Sequence, residues 1–172
     1  MPDRRAEYVE RWLNRARNER DVFDQFISAW IALTIAVKRH CTESGSSCDK
    51  KDSELVFKYL EDHPSEVKAA FESHGHEMQD LAGRRGTGGC IVLDGGNELQ
   101  RHCKLFAKGI LGRATCTDEE MNKATAAILV RIRNNVFHGN KVYDDASDRE
   151  LLTLVTPLLL TIVGTCEGIP KT

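Results

Sequence analysis

The residues best suited to chemistry are concentrated in one string, Arg131-Ile132-Arg133-Asn134-Asn135-Val136-Phe137-His138-Gly139-Asn140-Lys141. Histidine exchanges protons near neutral pH and can serve as acid or base. Arginine carries a permanent charge on a planar fork that matches phosphate or carboxylate oxygens. Arg133 and His138 therefore offer an anion clamp and a proton carrier on one stretch of chain. Asn134 adds a neutral donor and acceptor beside the arginine. Arg131 and Lys141 add positive charge on either flank.

The helix expected to carry them runs from Thr117 to about His138. At about 100° per residue, Met121, Thr125, Ile128, Leu129, Ile132 and Val136 share a core-facing stripe. A second stripe holds Ala126, Val130, Arg133 and Phe137. An arginine in an apolar stripe is unusual, because a buried guanidinium needs partners. Arg131, Asn134 and His138 form a polar edge beside it. One reading sends the second stripe to another subunit, with Ala126, Val130 and Phe137 at a homodimer interface. A two-fold partner would then bring a second arginine and histidine into the same groove. A plainer reading also exists. A histidine in a last helical turn, followed by glycine, suits the helix dipole, and Arg133 can snorkel or pair with an acid. Spacing alone favours this plainer reading.

The elements that must position this string read as helices. Tyr8–Arg17 is a short, charged amphipathic segment. Asp21–His40 carries a broad apolar stripe (Phe23, Phe26, Ile27, Trp30, Ile31, Leu33, Val37), which implies burial on most sides and a central place. A polar loop spans Thr42–Asp52. Ser53 is expected to cap a helix through Leu60, and Pro64 to start the next, with a break near Gly75. Gly83–Gly96 holds six glycines. Its GTGG run at Gly86–Gly89 lacks the lysine and hydroxyl of a phosphate loop and reads as flexible turn, with Cys90–Leu93 as loop or short strand. Asn97–Leu111 is a further helix ending at Gly112. Thr117 and Glu120 form a capping box. A last helix begins near Asp148 and carries Leu151, Leu152, Val155, Leu158, Leu159, Ile162 and Val163, with Pro157 expected to kink or strain it. The fold class is all-α, a single domain over residues 1–172 with an insertion around 42–111.

The chain has 24 Lys and Arg against 26 Asp and Glu, a net charge of −2. Any nucleic-acid surface must therefore be local. Six cysteines are present without a CxxC pair, and no tetrahedral set of ligands stands at usual spacings, so neither metal nor other cofactor is expected. The apolar stretches Phe26–Val37 and Leu151–Val163 look too short or interrupted to span a bilayer. The polar N-terminus leads straight into an amphipathic pattern, so a cytoplasmic location and free thiols are expected.

The string from Arg133 to Lys141 resembles the motif of the HEPN superfamily, in which an arginine followed by a polar residue precedes a histidine near a helix end. His138-Gly139-Asn140-Lys141, then Asp148-Arg149-Glu150-Leu151-Leu152 and a leucine-rich helix, is similar to the Apea-like branch. Phe26–Leu33 is similar to the apolar helix that opens such domains. The resemblance covers about 50 C-terminal and about 20 N-terminal residues and not the stretch between.

The resemblance implies a HEPN-like helical bundle with a Gly-rich insertion, dimerisation, and metal-independent endoribonuclease activity in a bacterial toxin–antitoxin or antiviral setting. It makes Arg133 and His138 the catalytic pair, with Asn134 in support; the nearby charges of Arg131 and Lys141 are available to bind the RNA. A cognate antitoxin or a larger defence complex is the implied partner. Such a site uses the ribose 2′-hydroxyl as nucleophile, the histidine for proton transfer and the arginine for phosphate charge. Family members that a nucleotidyltransferase modifies carry a tyrosine two residues after the histidine; here that position is Asn140. Two further functions compete: a catalytically silent RNA-binding or assembly module, and a structural subunit of a larger complex.

Overall fold

Asp21 opens the helix on which much of the chain packs. Its Oδ1 accepts hydrogen bonds from the backbone N–H groups of Phe23 (2.9 Å) and Asp24 (3.3 Å), two of the donors a helix start leaves bare. The structure is a computed structural model that describes residues 4–45, 47–84, 97–112, 115–137 and 145–166. These form eight helices and, among the described residues, no strand. They are α1 (Arg4–Asn18), α2 (Val22–Glu43), α3 (Asp52–Asp62), α4 (Pro64–Ser73), α5 (Gly75–Gly83), α6 (Asn97–Ile110), α7 (Asp118–Phe137) and α8 (Ala146–Cys166). The all-α class read from the periodicity is the class observed.

Most of the α2 stripe is buried as expected, although Ile27 and Ile31 are only half-buried. Phe26, Trp30, Ala32, Leu33 and Val37 are enclosed, with α1, α3 and α8 packed around them and α7 touching. Helices within the stretch read as an insertion add Leu55, Val56, Leu60, Val67, Met78, Leu81 and Phe106 to the same apolar cluster.

Local signals set several boundaries. The Thr117 N–H donates to Glu120 Oε2 (2.9 Å), and the Glu120 N–H donates to Thr117 Oγ1 (3.1 Å), the reciprocal pair of a capping box. After α6, Gly112 takes φ 63°, where a side chain would be strained. The break near Gly75 falls at His74, whose ring Nε2 is hydrogen-bonded to Thr161 Oγ1 of α8 at 2.7 Å.

Two expectations need correction. Ser53 does not cap α3: the helix starts at Asp52, Lys51 holds the cap position without a side-chain bond, and Asp52 pairs with Lys38 at 2.7 Å. The C-terminal apolar stretch is also longer than the sequence suggested. At 21 residues α8 is long and apolar enough to cross a membrane by length and composition. Here Leu151, Leu152, Val155, Leu158, Leu159, Ile162 and Val163 are buried, and α8 packs on α2, α4 and α5 as a core helix. It runs through Pro157 without interruption. The hydroxyls of Thr153 and Thr156 bond back to the carbonyls of Arg149 (2.8 Å) and Leu152 (2.7 Å) in the same turns.

Candidate functional site

Helix α7 is held from several sides. Asn122, itself buried, donates through Nδ2 to the carbonyls of Leu60 and Glu61, closing bare acceptors at the C-terminal end of α3. On another side α6 approaches so closely that a Cβ on Gly109 would collide with Met121 Sδ. The thiol of Cys116, in the connection between the two helices, lies 3.9 Å from the Leu105 carbonyl. Helices α6 and α7 thus run antiparallel, and the N-terminal half of α6 lies toward the C-terminal half of α7.

This crowding corrects the two-stripe reading of α7. The middle of the core stripe holds, with Thr125, Ile128, Leu129 and Ile132 buried and its ends, Met121 and Val136, half-buried. Ala126, expected at a dimer interface, is 0% exposed within its own chain and offers nothing to a second subunit. An amphipathic wheel assumes one buried face, whereas α3, α4 and α6 enclose more of this helix. The rest of the second stripe opens gradually toward the C-terminus: Val130 and Arg133 are half-buried and Phe137 is 43% exposed.

At that end, sequence neighbours become structural partners. Arg133 Nη1 donates to Asn134 Oδ1 at 3.0 Å. The Arg133 guanidinium carbon sits 4.5 Å from the centre of the Phe137 ring, within the range of a cation–π contact. Arg133 Nε is buried without a hydrogen-bond partner, and no carboxylate among the described residues pairs with Arg133. The guanidinium is thus steered by a neutral amide and a ring, and no acid among the described residues neutralises its charge. Arg131 is half-buried, about 200° around the helix from Arg133. His138 and Lys141, with Gly139 between them, lie outside the described residues, as do the glycine-rich run and the Cys90–Leu93 segment.

No family model, curated protein or solved structure matches this chain.

Other basic residues divide into two groups. Arg84 bonds to Glu150 (2.8 Å) and to Ser147, and Arg149 bonds to Asp21 Oδ2 (2.9 Å), so both tie helix ends together. Arg101, Lys104 and Lys108 instead lie exposed along α6, spaced i, i+3 and i+7, and line a groove of ≈ 390 Å³ with Gln100 and Leu105. The periodicity of α6 carried that signal; its position beside α7 did not follow from the sequence.

Proposed function

We propose that this protein is a metal-independent endoribonuclease of HEPN type, with Arg133 and His138 as the catalytic pair and Asn134 holding the arginine. The observation that carries the reading is the state of Arg133: a half-buried guanidinium, oriented by Asn134 and Phe137, with no carboxylate paired to it among the described residues. A cation in that state is poised for an oxyanion from outside the fold. His138 follows Phe137 directly in the chain and supplies the titrating group.

In the proposed reaction, a base withdraws the proton of the ribose 2′-hydroxyl. The oxygen attacks the adjacent phosphorus, and the 5′-oxygen of the next nucleotide leaves as it takes a proton. The P–O bond formed closes a 2′,3′-cyclic phosphate, and the bond broken frees a 5′-hydroxyl. Arg133 stabilises the charge gathering on the non-bridging oxygens. A second copy meeting the first along the half-buried Val130 and exposed Phe137 would contribute another histidine, so that acid and base are separate groups. Lys141 and the α6 cations Arg101 and Lys104 are the candidates for holding the strand at the site, and Arg131, far around α7 from Arg133, could do so only where the strand wraps the helix. A bacterial toxin or antiviral effector fits this chemistry.

The test is product chemistry in EDTA. RNA is expected to be cut to cyclic-phosphate and 5′-hydroxyl ends, while DNA, and RNA with one 2′-deoxy nucleotide at the cleavage position, stay intact. Cleavage of the deoxy position would refute 2′-hydroxyl attack. The second reading, a silent RNA-binding or assembly module, is favoured by the net charge of −2 and the exposed Phe137. RNA binding with no cut at any position would select it.

A further inference from the structure

Helix α1 packs principally on α2 and turns a distinctive face outward. Tyr8, Arg11, Trp12 and Arg15 are spaced i, i+3, i+4 and i+7 and so form one stripe. Arg11 sits over the Tyr8 ring at 5.6 Å, and Arg15 sits over the Trp12 ring at 5.2 Å. Tyr8 is 44% exposed, Trp12 is half-buried, and both arginines are exposed. Among the described residues neither arginine has a carboxylate partner. Residues 4–20 hold six arginines (4, 5, 11, 15, 17, 20) and three glutamates (7, 10, 19), a net charge of +3 in a chain whose total is −2. Every cation in that stretch is an arginine, the side chain that combines ring stacking with forked phosphate bonding.

We infer that the Tyr8–Arg11–Trp12–Arg15 stripe is a binding surface for single-stranded RNA. Aromatic faces that accept any base, interleaved with cations that accept phosphates, make up the usual surface for an unpaired strand. The two rings stand about 6 Å apart along the helix, four residues at 1.5 Å each, which suits bases splayed apart more than a stacked duplex. A duplex hides its base faces and would leave both rings unused.

The topology brings one end of α1 near the start of α8. Arg5 Nη1 bonds Thr42 Oγ1 at 2.7 Å, so α1 runs antiparallel to α2 and its Arg15 end lies beside the start of α2. There Asp21 is tied to Arg149 in the first turn of α8, the helix entered from the segment that contains His138. The inference rests on the RNA reading of Arg133 and His138 in taking the bound strand to be the substrate.

Binding and cleavage separate the two proposals. A fluorescent oligouridine is titrated in EDTA into the full chain carrying His138→Ala, with and without Tyr8→Ala, Arg11→Ala or Arg15→Ala. All three α1 side chains are exposed, and circular dichroism checks that each variant folds. Tyr8→Ala is expected to weaken binding about tenfold. Each arginine variant is expected to weaken it several-fold and to flatten the dependence of log affinity on log salt by about 0.7. Unchanged affinity in all three overturns the inference even where His138→Ala has abolished cleavage, in which case the nuclease reading survives alone. Weakened binding with no cleavage by the unmodified chain supports this surface and removes the nuclease. An oligoglutamate of equal charge that displaces the RNA and binds as tightly as it does overturns the inference in favour of an acidic protein partner.

Discussion

Arg133 is half-buried and, among the described residues, has no carboxylate partner, and that combination sets what the residue can be asked to do. A structural arginine in such a place would be paired with a carboxylate, as Arg149 is with Asp21. Arg133 instead has Asn134 at 3.0 Å and the Phe137 ring, which fix its direction without cancelling its charge. Arg133→Ala is expected to lower the RNA cleavage rate about 10²- to 10³-fold, the range seen when one donor to a developing oxyanion is removed. Arg133→Lys is expected to restore little, because an ammonium has neither the fork nor the flat face. Single-turnover rates of the two variants decide this, and full rescue by lysine would reduce Arg133 to a point charge. A second prediction concerns Cys41. Burial, reinforced by the neighbouring Cys48, pushes the Cys41 thiol above its ordinary range. Its folded-state pKa is thus raised above the unfolded value. The stability it contributes is complete below the ordinary thiol range and is lost as pH rises through the raised value. Thermal melts carried from neutral to alkaline pH are expected to fall less steeply for Cys41→Ala than for the unmodified chain.

Among the elements, α7 has the most clearly separable supports. Thr117→Ala removes one half of the capping box and is expected to cost about 1 kcal/mol. Asn122→Ala strips the carbonyls of Leu60 and Glu61 of their donor in a buried place and is expected to cost about 1–3 kcal/mol. Urea unfolding of both variants measures this, and a smaller loss for Asn122→Ala than for Thr117→Ala would contradict the account of how α3 and α7 are joined. The contrast between these residues also shows what a sequence can reveal. The capping box is complete within four consecutive residues, and the stop at Gly112 within one, so both were readable. Asn122 acts on carbonyls 61 and 62 positions away, and nothing local marks it. The break beside Gly75 was anticipated from the glycine, yet the residue that fixes it, His74, is held by Thr161, 87 positions away. Ser53 looked like a cap by type, and the start of α3 was instead set by Asp52 reaching Lys38 on α2.

At the scale of the molecule, the question is what the outer faces meet. Ala126 is enclosed by its own chain, so a symmetric dimer must use the later part of the α7 edge, Val130 and Phe137. Light scattering is expected to give a dimer for the unmodified chain and a monomer for Val130→Glu. A monomer for both would end the composite-site version of the mechanism. The wheel anticipated Ala126 wrongly because enclosure depends on which helices flank α7, a property of the whole packing. It was informative about Arg133, because Asn134 and Phe137 lie within one turn of it. The net charge likewise required any positive surface to be local, and α1 and the exposed face of α6 are where the structure concentrates it. The central claim, that this surface serves RNA cleavage at Arg133 and His138, is tested most directly by one comparison. End-labelled single-stranded RNA is incubated in EDTA with the unmodified chain and with a folded His138→Ala variant. The account predicts cleavage to cyclic-phosphate ends by the first and none by the second; equal cleavage by both, or none by either, would contradict it.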